Sequence, residues 1–178
     1  MKVTAFLAVP GKSDSLPELT PSYTLVKDAN ALKASIDRQR GESSDPYTLI
    51  ETEVNINRFF VNDRKGTYVK LQQIEDLMGR DFAITFAVRN EHEVQKTPHY
   101  KKIRELNPGV NLRSLLKDTL PVLPDVDLLP GTVFGNKQIV ERLIKEGYDG
   151  ASLLGSDGIP QYFVFSAEQL KVKRTSTV

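Results

Sequence analysis

Residues 138–171 constrain the fold more tightly than any other stretch of this chain. Ile139, Val140, Leu143 and Ile144 recur at i, i+1, i+4 and i+5, which is one apolar face of a helix with a period of about 3.6 residues. Lys145 falls in the last turn and Gly147 just past it, the usual signals for a helix end. Ala151 to Leu154 is a short apolar strand. Ser156-Asp157-Gly158 is turn chemistry, and Gln161 to Phe165 is a second strand. The stretch therefore predicts a hairpin docked on a helix. Gly150 is expected where backbones approach closely or where φ is positive.

The same rules apply upstream. Val3 to Val9 is expected to be a first strand, and Pro10 to Pro21, with three prolines, a loop. Tyr23 to Val26 reads as a brief strand. Asp28 is placed to cap a helix from Ala29 to about Gln39. Gly41 to Pro46 reads as loop and Tyr47 to Ile56 as a strand rich in Thr, Ile and Val. Phe59 to Val61 continues or pairs with it, and Asn62 to Gly66 is a turn. Val69 to Met78 fits a short amphipathic helix with Leu71, Ile74, Leu77 and Met78 inward. Phe82 to Val88 reads as a strand. Glu91 to Leu106 reads as helix after Thr97-Pro98, Leu112 to Leu120 as another helix, and Pro121 to Pro130 as extended chain.

Charge and cysteine content exclude several classes of function. The net charge is +1 and the pI about 7.9, without the basic face that nucleic-acid binding calls for. Lys171-Val172-Lys173-Arg174 is the one local basic cluster, read as a solvated end. With no cysteine, thiol nucleophiles, disulfides and zinc–thiolate sites are ruled out. Val3 to Val9 is too short for a membrane helix and lacks a small-residue cleavage site. The cytoplasm of a bacterium, or of an infected one, is the expected location, with a virion as the alternative.

Other motifs have ordinary readings. Glu51-Thr52-Glu53 puts two carboxylates on one face of a strand, read as its solvent-facing edge. His92, Glu93 and His99 share a polar segment, but metal sites need converging ligands with a defined outer shell, so no metal is expected. No Gly-x-Ser-x-Gly elbow and no Gly-rich phosphate loop is present.

One run of motifs carries a resemblance. Gly147-Tyr148-Asp149-Gly150, then Gln161-Tyr162-Phe163-Val164-Phe165, then Ser166-Ala167-Glu168-Gln169-Leu170-Lys171 resembles the C-terminal end of the ADP-ribosyltransferase fold. The variants it is most similar to occur in phage-encoded and polyvalent mobile-element proteins. Phe6-Leu7-Ala8-Val9-Pro10 and Ser22-Tyr23-Thr24-Leu25 agree with the order of parts. The resemblance implies an α+β fold, a single domain over 1–178 with mixed or antiparallel sheets and flanking helices. Residues of about 82–130 would be an insertion.

It also implies NAD as a possible substrate. Breaking the nicotinamide bond passes through an oxocarbenium-like state, which calls for a nearby carboxylate and for a cationic or polar group on the pyrophosphate. The family's carboxylate position corresponds to Gln161 and its Arg position to Leu7. Gln carries no charge and cannot act as a base, and Leu can do neither job. The Ser/Thr position falls on Thr24 or Ser22. The implied set is Gln161 and Asp157 at the reacting end, with Leu7, Ala8, Tyr23, Thr24 and Tyr148 against the ligand. Asp157 is equally a turn residue, and Asp149, the other nearby carboxylate, a strand-entry residue.

Two functions remain open at this point. One is an ADP-ribosyltransferase-like protein, catalytically degenerate, that acts on or binds a host or virion protein. The other is a structural or interaction protein, such as a virion or assembly component, that uses the fold as a scaffold.

Overall fold

The structure is a computed structural model, and it describes residues 1–41, 45–118 and 126–178. The fold is α+β. The chain divides into two compact units: Met1–Thr67 with Leu143–Val178, and Tyr68–Arg142. The residues expected as an insertion, 82–130, lie inside the second.

The first unit is built on a 7-stranded mixed sheet. Its strands are β1 (Lys2–Pro10), β2 (Tyr23–Val26), β3 (Tyr47–Asn55), β4 (Phe59–Asn62), β7 (Gly150–Leu154), β8 (Pro160–Val164) and β9 (Leu170–Thr177). They lie in the order β4-β7-β8-β2-β1-β3-β9. Every pairing is antiparallel except β4 with β7, which is parallel. Alternation along the strands puts Ala5, Leu7, Tyr23, Leu25, Ile50, Val54, Tyr162 and Val164 into one buried apolar cluster. The helix α1 (Ala29–Arg40) starts where Asp28 Oδ1 accepts the Ala31 N–H at 2.8 Å, the expected cap.

In the second unit a two-stranded ribbon pairs β5 (Val69–Lys70) with β6 (Asp127–Leu128). Around it run α2 (Leu71–Met78), α3 (Arg80–Arg89), α4 (Glu91–Val94), α5 (Pro98–Leu106), α6 (Leu112–Asp118) and α7 (Pro130–Phe134). The helix α8 (Lys137–Lys145) crosses the division between the units after Arg142.

Several expectations are corrected. Phe82–Val88 is not a strand but the body of α3, burying Ala83, Ile84, Phe86 and Ala87. A short apolar run does not reveal its period, and here Phe82 and Phe86, one helical turn apart, stack at 6.0 Å. Val69 and Lys70 precede the helix as ribbon rather than opening it. Pro130 is not extended chain; it is the first residue of α7, a position that suits its fixed φ. The expectations for Glu42–Ser44 and for residues 119–125 lie outside the described residues. Lys171–Arg174 is solvated as expected, but its backbone is ordered as part of β9, which pairs with β3. Glu51 and Glu53 are half-buried on one face of β3 and Thr52 and Val54 fully buried on the other, as expected, but pairing with both β1 and β9 makes β3 an interior strand.

The C-terminal reading holds in most details. Ile139, Val140 and Leu143 are buried, whereas Ile144 is 50% exposed; it sits one step beyond the apolar stripe. Gly147 takes φ +82, so the Gly147 N–H reaches Ile144 O and the Tyr148 N–H reaches Leu143 O, closing the helix end. Gly150 is a close approach, since a Cβ there would lie 2.7 Å from Phe163 O and 2.9 Å from Ile56 Cδ1. Because one obstacle is backbone, Gly150→Val is expected to destabilise by about 1–3 kcal/mol or more. A thermal melt with the variant at the parental midpoint would refute the close approach.

Candidate functional site

The seven residues singled out from the sequence do not share one cleft. Residues facing each other across an antiparallel ladder point to the same side of the sheet. Gln161 faces Val26 and Leu153, while Tyr162 faces Leu25 and Ser152. Val26 also faces Phe6. Leu7 and Tyr23 therefore lie on the buried face with Tyr162, and Ala8, Thr24 and Gln161 lie on the opposite face.

Each of these side chains has a local role. Leu7 is part of the apolar cluster. Tyr23 donates its hydroxyl to Pro17 O at 2.7 Å, and burial, with Glu18 adding to it, pushes its pKa up. Thr24 is exposed. Ala8 lines a cavity of about 340 Å³ beside Ile36, Arg40 and Tyr47. Tyr148 is sandwiched, with the Arg58 guanidinium 4.5 Å from its ring centre and Phe60 edge-on at 5.5 Å.

Asp157 and Gln161 do come together. A Cβ on Gly155 would lie 2.8 Å from both Asp157 Oδ1 and Gln161 Nε2. Asp157 Oδ1 also accepts the Ile159 N–H at 3.1 Å, which is turn chemistry. Asp149 accepts the Asn57 and Arg58 N–H groups at 2.9 and 2.8 Å, clamping the entry to β4. Its carboxylate oxygens are thus committed to backbone.

A second cavity, of about 250 Å³, lies on the buried face. Asn62, Asp63 and Arg64 border it where β4 ends, and Ser152, Leu153 and Leu154 where the parallel β7 ends. Lys2, Lys27 and Tyr162 complete the polar lining. The lysines and Arg64 are exposed at the rim, while Ser152 and Tyr162 are 6% and 5% exposed. Burial pushes the Tyr162 phenol up, and the nearby Arg64 opposes that shift. Asp63 Oδ1 accepts the Lys65 and Gly66 N–H groups at 2.9 and 2.8 Å. Those two bonds hold its pKa below the ordinary carboxylate range.

Sequence reasoning passed over Lys27, Arg64, Ser152 and Tyr162. Asn62 to Gly66 reads as a plain turn, and nothing local reports that β4 lies parallel to β7, more than eighty positions later. It also passed over a charge cluster in the second unit. Asp127 is 1% exposed, and its two oxygens meet Lys70 Nζ and, at 2.6 Å, His99 Nδ1. His99 is therefore not merely a solvated helix start, although its side chain is 55% exposed. Among the described residues, no group of three or more His, Cys, Asp and Glu side chains is placed to hold a metal ion. No described helix is long and apolar enough to cross a membrane.

Comparison with known proteins adds little to this geometry. No family model matches the chain, and no curated protein matches it. Among solved structures it is similar to one from the M. tuberculosis MbcT–MbcA toxin–antitoxin complex. The two are 12% identical with a TM-score of 0.44, over 100% of this chain and 85% of that one. A superposition that loose carries no argument about family or activity.

Proposed function

We propose that this chain is an ADP-ribosyltransferase-like protein that has lost conventional transfer chemistry and acts by binding, with NAD or a related nucleotide as ligand and another protein as target. A host or virion protein, met in the cytoplasm, is the target that the phage-type resemblance favours. The observation that carries the reading is the state of the two charge positions. Leu7 is 6% exposed within an apolar cluster, and the uncharged Gln161 faces the other side of the sheet. Leu7 offers no cation to a pyrophosphate, and Gln161 no counter-charge to an oxocarbenium-like state. Losing one such preorganised contact costs about 10²–10³ in rate.

The expected result is heat on titration with NAD and little or no nicotinamide release in a parallel assay. Incubation with labelled NAD and bacterial lysate extends the test. Labelling of a specific band that disappears in Asp157→Ala or Gln161→Ala would restore those residues as catalytic and overturn the proposal. The second reading, a scaffold protein, is favoured by the committed side chains of Tyr23, Tyr148 and Asp149. An absence of NAD heat would select it.

A further inference from the structure

We propose that the cavity at the ends of β4 and β7 is a binding site for a small phosphomonoester, of the size of a nucleoside monophosphate. The inference deepens the nucleotide-binding reading but stands on a different observation, the hydrogen-bonding character of the cavity wall.

Every polar side chain on that wall except Asp63 can donate a hydrogen bond, and Lys2, Lys27 and Arg64 can only donate. The lysine ammoniums and the Arg64 guanidinium have no acceptor capacity. Among the described residues none of Lys2, Lys27 and Arg64 makes an ion pair. The Tyr162 hydroxyl and Ser152 Oγ are without a protein partner there too, although both residues are more than nine-tenths buried. Both oxygens are accessible from the cavity and so free to bond a solute there. The one carboxylate, Asp63, already has Oδ1 occupied by the backbone of its own turn.

A wall of donors around unpaired cations selects an acceptor-only anion. A phosphomonoester fits: it presents three acceptor oxygens and about −1.5 to −2 charge at neutral pH. Arg64 offers a planar fork to two of those oxygens, and the lysines act as point charges. The volume of about 250 Å³ lies just under the range of about 300–1,000 Å³ common for small-molecule sites. That favours a mononucleotide over a whole dinucleotide and leaves no room for a macromolecular chain.

The test is calorimetric titration of the full chain with AMP, adenosine, inorganic phosphate and NAD. AMP is expected to bind, adenosine to bind at least about tenfold more weakly, and inorganic phosphate to compete with AMP. Arg64→Gln and Lys27→Gln change exposed side chains, so the fold should persist, and each should weaken AMP by about tenfold. Tyr162→Phe should weaken AMP at an unchanged melting temperature. AMP that fails to bind, that adenosine matches, or that binds Arg64→Gln as tightly as the parent overturns the proposal. NAD binding by a parent protein that does not bind AMP would leave the NAD reading standing and remove this one. AMP binding without NAD binding would do the reverse.

Discussion

Replacing Asp127 by Ala should cost about 1.5–3 kcal/mol, the range for hydrogen bonds to a charged group. Asp127, the first residue of β6, is 1% exposed and bonds to Lys70 and His99 through its two oxygens. A carboxylate that deep is tolerated only because both oxygens are matched by charge-assisted donors. Its removal loses both bonds and leaves a void, while the half-exposed Lys70 and His99 turn to solvent. Lys70→Ala should cost less, because that side chain is 41% exposed and His99 continues to hold the carboxylate. Urea denaturation of the three proteins checks both the size and the order. A loss under about 1 kcal/mol for Asp127→Ala, the scale of an exposed pair, would show that the cluster is solvated.

The second large effect is at Leu143, which is fully buried, while its neighbour Ile144 is 50% exposed. Leu143→Ala should destabilise by about 2–5 kcal/mol through lost transfer energy and the cavity left behind. Ile144→Ala should stay within about 0.5 kcal/mol. The pair of variants separates burial from helix propensity, since both replace a large aliphatic residue by Ala in the same helix. Equal effects at the two positions would mean that the orientation of α8 is wrong.

How far the fold could be read in advance depended on how local its determinants are. The Asp28 cap, the Gly147 stop and the Gly150 approach are written in adjacent residues, and the structure bears them out. The stretch Phe82–Val88 failed because seven apolar-rich residues suit either period, and packing against other helices decided the outcome. The nature of β9 was hidden because a basic, polar strand shows no apolar alternation; its pairing with β3 is what orders it. The site was less legible than the fold. A resemblance of motifs located Leu7 and Gln161 along the chain but could not assign them to opposite faces, which takes the register of three strands, β1, β2 and β8. The cavity lined by Lys27, Arg64, Ser152 and Tyr162 draws on four separate segments. No window of sequence contains it.

The division of the chain has a consequence for the order in which the molecule can form. The second unit is one continuous segment, Tyr68–Arg142, so all its internal contacts are available once that segment exists. The seven-stranded sheet is split across it. β2 meets β1 at a single register pair, Phe6 with Val26, and otherwise depends on β8. Among the described residues β4 has no strand partner but β7. During synthesis from the N-terminus, the first four strands of the sheet therefore emerge with two of them largely unpaired. They wait while the whole second unit is made. The loop-closure entropy of joining β4 to β7 and β2 to β8 is met only at the end. A helical segment that condenses early between the two halves shortens the effective loop to be closed, so the interrupted sheet gains from the unit that interrupts it.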